Sequence, residues 1–127
     1  MPSIKPIQTS NLNARQYVQR RESFDGSNLY ARTYLANDRC LTNRYVVYSY
    51  GSHFPLFIAE WLPGDGRVQW YENVDKYSVT TSKHKSQTHP LEANILPMTS
   101  DAMRTIADWG TAGLAAMGAD ACEDVPF

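Results

Sequence analysis

The sequence predicts an α+β domain: a small antiparallel sheet of about four or five strands with an N-terminal and a C-terminal helix. Three observations predict it. The centre of the chain holds β-rich runs separated by turn signals, a short basic helix-forming stretch precedes them, and a long apolar stripe at helical spacing follows. With 127 residues, 43% hydrophobic and 12% aromatic, the chain is long enough for one core and short for two. The expected layout is one domain over 1–118 and an acidic interaction tip over 119–127.

Pro2 to Thr9 reads as an extended lead-in. Asn13 to Glu22 has helix-forming composition, with Asn11 or Asn13 as N-cap, Tyr17 and Val18 inward and Arg15, Arg20 and Arg21 outward. After Asp25-Gly26, Asn28 to Leu35 carries enough aromatic and β-branched residues for a strand. The runs Arg44 to Tyr50, Leu56 to Leu62 and Arg67 to Tyr71 form the meander, joined by Gly51 to Pro55 and by the turn Pro63-Gly64-Asp65-Gly66. A fourth strand is expected over Lys76 to Thr81, and the sheet could curl like an oligonucleotide-binding barrel. Ser82 to His89 then turns polar, and Pro90 and Pro97 punctuate a connection to the last helix. There Thr99, Ser100 and Asp101 supply capping groups, and Met103, Ile106, Ala107, Gly110, Leu114 and Met117 form one apolar face.

Net charge is −1, and its distribution is uneven. Residues 1–90 carry eleven Lys/Arg against seven Asp/Glu, whereas residues 91–127 carry one Arg against six acids. The last six residues, Cys122-Glu123-Asp124-Val125-Pro126-Phe127, combine two acids with an aliphatic, a proline and an aromatic residue. Such a peptide suits a small hydrophobic pocket rimmed by Arg and Lys. It resembles the tip of bacterial single-stranded-DNA-binding proteins, with valine for isoleucine and Cys122 and Glu123 where that family prefers aspartates. The resemblance implies that Glu123, Asp124, Val125, Pro126 and Phe127 contact host replication or repair proteins. That family carries a long Gly/Gln/Pro-rich linker before its tip, and here only Gly118 to Ala121 stands in its place.

The densest chemistry runs from Tyr77 to His89, where hydroxyls, Lys83, Lys85, His84 and His89 crowd a segment without an acid. If a helix begins at Ser82, free backbone N–H groups, hydroxyls and lysines converge on an anion, naturally a phosphate. A solvated connection whose hydroxyls cap and turn the backbone is the equal alternative. Together with Tyr45-Val46-Val47-Tyr48-Ser49-Tyr50-Gly51 and Trp70-Tyr71-Glu72-Asn73, this segment resembles an uncharacterised family of small phage- and plasmid-encoded proteins. That resemblance covers roughly residues 17 to 90 and implies a mobile-element setting and no mechanism.

Strand alternation sends the many rings to both faces, so some are expected beside cations, forming stacking platforms for single strands. The expected nucleic-acid contacts are Arg44, Tyr48, Tyr50, Arg67, Trp70, Lys76, Thr80, Thr81, Ser82, Lys83, His84 and Lys85. The alternative for any one ring is a two-sided or dimeric core, which leaves a homodimer open. No ligand-spaced cluster of His and Cys is visible, so no metal and no cofactor are expected. His84 could serve Ser78, Thr80 or Ser82 as a base, but no catalytic frame surrounds it, and the chain is read as non-enzymatic.

Cys40 and Cys122 lie far apart and are read as free thiols. Without a signal-like apolar N-terminus or a membrane-length run, the expectation is a cytoplasmic protein of a phage or plasmid in a bacterial host. The leading function is sequence-tolerant binding of single-stranded DNA, with the tip recruiting replication or repair proteins. The alternative is an inhibitor or decoy that binds a host defence or repair complex without touching DNA.

Overall fold

The computed structural model describes residues 6–49, 54–75 and 79–121. Its elements in chain order are β1 (Ile7–Gln8), α1 (Ala14–Gln19), β2 (Phe24–Asp25), β3 (Leu29–Tyr34), β4 (Asn43–Ser49), β5 (Phe54–Trp61), β6 (Gln69–Asn73), α2 (Val79–Thr88), β7 (Ile95–Met98) and α3 (Ser100–Ala121). The seven strands form one sheet in sequence order, with β1–β2 and β6–β7 parallel and the other pairs antiparallel. The expected four or five antiparallel strands are thus corrected to a seven-stranded mixed sheet with three helices. The α+β class is compatible with it.

The antiparallel meander β3 to β6 follows the sequence signals closely. Its two parallel margins arise because α1 and α2 each cross over to a neighbouring strand. β1 and β6 point the same way and both step in the same direction across the sheet, so crossovers of one hand put α1 and α2 on one face. Arg15 Nη2 donates to Ser86 O at 2.6 Å and Gln19 Nε2 to Pro90 O at 3.3 Å, which ties these helices together. α3 covers the opposite face.

This three-layer arrangement explains why β4 and β5 are buried along almost their whole length. Tyr45 and Val47 join Val18, Phe24, Leu29 and Phe57 in the core on the α1/α2 side. Val46 and Tyr48 join Ile58, Tyr71, Met103 and Ile106 in the core under α3. The register changes between Val47, opposite Phe57, and Tyr48, opposite Pro55, leaving Leu56 as the extra residue of a bulge. Leu56 and Phe57 consequently enter the same core.

The expected strand over Lys76 to Thr81 is the second correction. Val79 already begins α2, and Lys76 to Ser78 lie outside the described residues. Thr81, His84 and Thr88 are buried at a spacing of three and four, so this helix faces the sheet with a polar stripe. The stripe is satisfied locally: His84 Nδ1 lies 2.8 Å from Ser49 Oγ, and Thr88 Oγ1 donates to His84 O at 2.8 Å.

Candidate functional site: a basic helical layer and a cleft at a helix break

Covering both faces of the sheet removes two of the rings that were expected as platforms, Tyr48 and Trp70. Tyr48 is 4% exposed, stacks on Tyr30 with ring centres 5.0 Å apart and shares a 3.1 Å hydroxyl contact with Tyr34. Burial, followed by that hydrogen bond, pushes its hydroxyl pKa far up. Trp70 is 5% exposed and meets Tyr45 edge to face at 6.3 Å. Arg44 is 3% exposed, with Nη1 donating to Ala107 O at 2.8 Å. These three expected contacts are core residues, because a central strand under two helical layers has no free face. Thr81 and His84 also point inward, and Lys85 is held by Glu72 at 2.8 Å. Tyr50, Lys76 and the tip residues Glu123, Asp124, Val125, Pro126 and Phe127 lie outside the described residues.

Thr80, Ser82 and Lys83 are exposed on α2, and the Arg67 side chain is 93% exposed. The helical layer that carries the first three is basic. Arg15, Arg20 and Arg21 on and after α1, with Lys83 and Lys85 on α2, face only Glu22 within those two segments. Glu22 pairs with Arg20 at 2.8 Å. α3 has the opposite balance among its described side chains, with Arg104 against Asp101 and Asp108. The sheet thus separates a cationic layer from an anionic one, a polarity that linear charge counting only hinted at.

α3 is two helical segments joined at Gly110, whose φ of 71° and ψ of −177° break the helix. A Cβ there would lie 2.6 Å from Glu60 Oε2 and 2.8 Å from Thr42 Oγ1, so only glycine fits this close approach. Arg44 and Glu60, directly paired across β4 and β5, service the two ends created by the break. Arg44 caps the Ala107 carbonyl, while Glu60 Oε2 accepts the Thr111 N–H at 3.0 Å. A cation at a helical C-terminus and an anion at an N-terminus both suit the helix dipole. Thr42 Oγ1 and Thr111 Oγ1 donate to the same carboxylate at 2.6 and 2.9 Å. Tyr71 lies nearby with its hydroxyl 3.4 Å from Glu60 Oε1; burial first, then the Glu60 charge, pushes its pKa up to about 12.

Beside this break opens a cleft of about 740 Å³, bounded by Glu60 and Thr111 on the α3 side and by Trp61, Leu62 and Val68. Arg67 and Asp65 stand on its rim. The Arg67 backbone N–H, then its side chain, holds the Asp65 carboxyl below the usual range, so it is ionised at neutral pH. Arg21 lies over the Trp61 ring at 4.5 Å, joining the basic layer to the cleft. Sequence reading named Arg67 and missed Glu60, Trp61 and Arg21 as a group. A glycine inside a helical stripe and opposite charges inside two adjacent β-rich runs were the available signals.

At the other end of β4 and β6, Asn73 is fully buried and donates to Pro55 O at 2.8 Å and Ser100 Oγ at 3.0 Å. Asp75 accepts the Ser100 N–H at 2.8 Å, and this bond lowers its pKa. These contacts fasten the start of α3 to the sheet. Among the described residues no group of three His, Cys, Asp or Glu side chains could hold a metal ion, and no helix is long and apolar enough to cross a membrane. Comparison with known proteins finds no match for this chain: no family model, no curated protein and no solved structure.

Proposed function

We propose that the chain is a phage- or plasmid-encoded nucleic-acid-binding protein whose α1/α2 layer contacts phosphates without reading sequence. The segregation of Arg15, Arg20, Arg21, Lys83 and Lys85 into one layer carries this reading. A one-sided cationic surface attracts a polyanion that approaches that face although the whole chain carries −1, because within about a Debye length the field follows the charge of the nearby layer. Exposed Thr80 and Ser82 beside Lys83 add hydroxyl donors of the kind that position a nucleic-acid backbone. The expected contacts on Tyr48, Trp70 and Arg44 are dropped from this reading.

Titration of a labelled thirty-mer at two salt concentrations tests it. Binding should weaken steeply with salt, and Arg20→Glu with Lys83→Glu should lower the log–log slope by about one to two units. No binding at low salt would end the proposal. The burial of Tyr48 and Trp70 favours a second reading, in which the chain binds a host protein and no DNA. Under that reading Glu123 to Phe127 carry the contact, and replacing Val125, Pro126 and Phe127 by alanine should abolish recovery of partners from bacterial lysate.

A further inference from the structure

We infer that the cleft beside Gly110 takes one unstacked nucleobase of a single strand, with the adjoining phosphate on Arg21 and Arg67. This rests on the reading that the α1/α2 layer binds nucleic acid. Three observations converge on the cleft. First, its volume of about 740 Å³ lies within the range of small-ligand clefts, and Trp61, Leu62 and Val68 give it an apolar wall. Second, cations attend the cleft: Arg21 lies 4.5 Å from the Trp61 ring centre, and Arg67, among the residues lining the cleft, has a side chain 93% exposed. An indole beside a guanidinium, with a second cation at the cleft mouth, is a combination that holds a base by stacking and its phosphate by charge. Among the rings that the sequence proposed for this task, Tyr48 and Trp70 are enclosed.

Third, the backbone at Arg21 is shaped for this placement. The Arg21 N–H donates to Val18 O and the Glu22 N–H to Tyr17 O, the paired bonds of a Schellman ending to α1. The residue in Arg21's position adopts a left-handed φ of 54°, where glycine is ordinarily preferred. Arginine there accepts backbone strain and brings a guanidinium onto Trp61, at the junction between the basic layer and the cleft. Asp65 Oδ2 accepts from Arg67 Nη2 at a long 3.5 Å, and a carboxylate oxygen has a second lone pair with which to accept from an exocyclic amine. Cytosine offers such a donor at N4 and thymine does not.

The test uses the full chain carrying Trp109→Phe, since Trp109 is 46% exposed and would report on α3 instead. Deoxycytidine monophosphate should quench the tryptophan signal and bind more tightly than thymidine monophosphate. Single strands should bind better than duplex of equal length. Trp61→Leu should remove that preference, with a loss of roughly fivefold or more in single-strand affinity, while salt-dependent binding persists. Arg21→Gly suits the left-handed backbone and therefore keeps the fold; it should weaken the mononucleotide in the same way. If both variants bind single strands as the parent does, or the parent does not distinguish single strand from duplex, the cleft assignment is overturned. Failure of every oligonucleotide to bind would instead remove the α1/α2 reading, and mononucleotide quenching would still decide the cleft by itself.

Discussion

α2 and α3 lie on opposite faces of the same sheet and hold to it by opposite chemistry. α3 buries Met103, Ile106 and Ala107, all apolar, whereas α2 buries Thr81, His84 and Thr88. An apolar stripe is stabilised by removal from water in proportion to its area, and a polar stripe only by meeting matched partners. The first tolerates modest changes of shape at graded cost. The second depends on single hydrogen bonds, above all the 2.8 Å contact between His84 and Ser49. The contrast also separates roles, because α2 can keep its outward side hydroxylated and cationic without a hydrophobic residue anywhere after Val79.

The largest effect should come from the apolar side. Ile106→Ala, at a fully buried position, should cost about 2–5 kcal/mol in urea unfolding, through lost burial and the cavity left behind. On the polar side, His84→Leu should cost about 1–3 kcal/mol, because the Ser49 hydroxyl remains buried without that partner. A comparable loss in Ser49→Ala but not in the double variant would identify the pair as the cause; additive losses would contradict it.

Acid should act on the two helices unequally. Burial, and then neighbouring Lys83, lowers the His84 pKa. The unfolded chain therefore takes up a proton that the folded one refuses as pH drops below about 6.5. Stability contributed by neutral His84 is fully present above that pH and falls as pH descends towards the lowered folded value. Denaturation midpoints between pH 7.5 and 5 should decline more steeply in the parent than in His84→Leu, and parallel curves would refute the assignment. The smallest expected change is Lys83→Ala, within about 0.5 kcal/mol in stability, yet lowering the salt slope of oligonucleotide binding by about one unit. Unfolding and binding titrations on one preparation would separate the two.

The same contrast decides what could be read from the sequence. α3 was legible because Met103, Ile106 and Ala107 repeat at helical spacing behind Thr99, Ser100 and Asp101. The meander was legible because β-branched and aromatic runs flank Pro63-Gly64-Asp65-Gly66. α2 was not, since Val79-Thr80-Thr81 has strand-like propensity and the buried positions that follow are His and Thr; hydrophobic periodicity has nothing to register there. β7 escaped because Ile95-Leu96-Pro97-Met98 contains a proline, which an edge position permits. β1 and β2 are two residues each, and their existence depends on partners remote in sequence. In the candidate site, Arg67 and Lys83 were named as cations from the sequence and are exposed, although the strand expected from Arg67 begins at Gln69 and α2 begins three residues before Ser82. Arg21 over Trp61 was not, because a contact across forty residues leaves no local trace.

The break at Gly110 has a kinetic corollary. The Thr111 amide belongs to Glu60 on a strand instead of to the turn of helix before it, so the ladder of backbone bonds along α3 is interrupted at that point. Cooperative helix opening cannot propagate through a missing rung. Amides of the segment that starts at Thr111 should therefore exchange with deuterated solvent by openings that leave Met103 and Ile106 seated, and the two halves of what reads as one helix should behave as separate units of exchange.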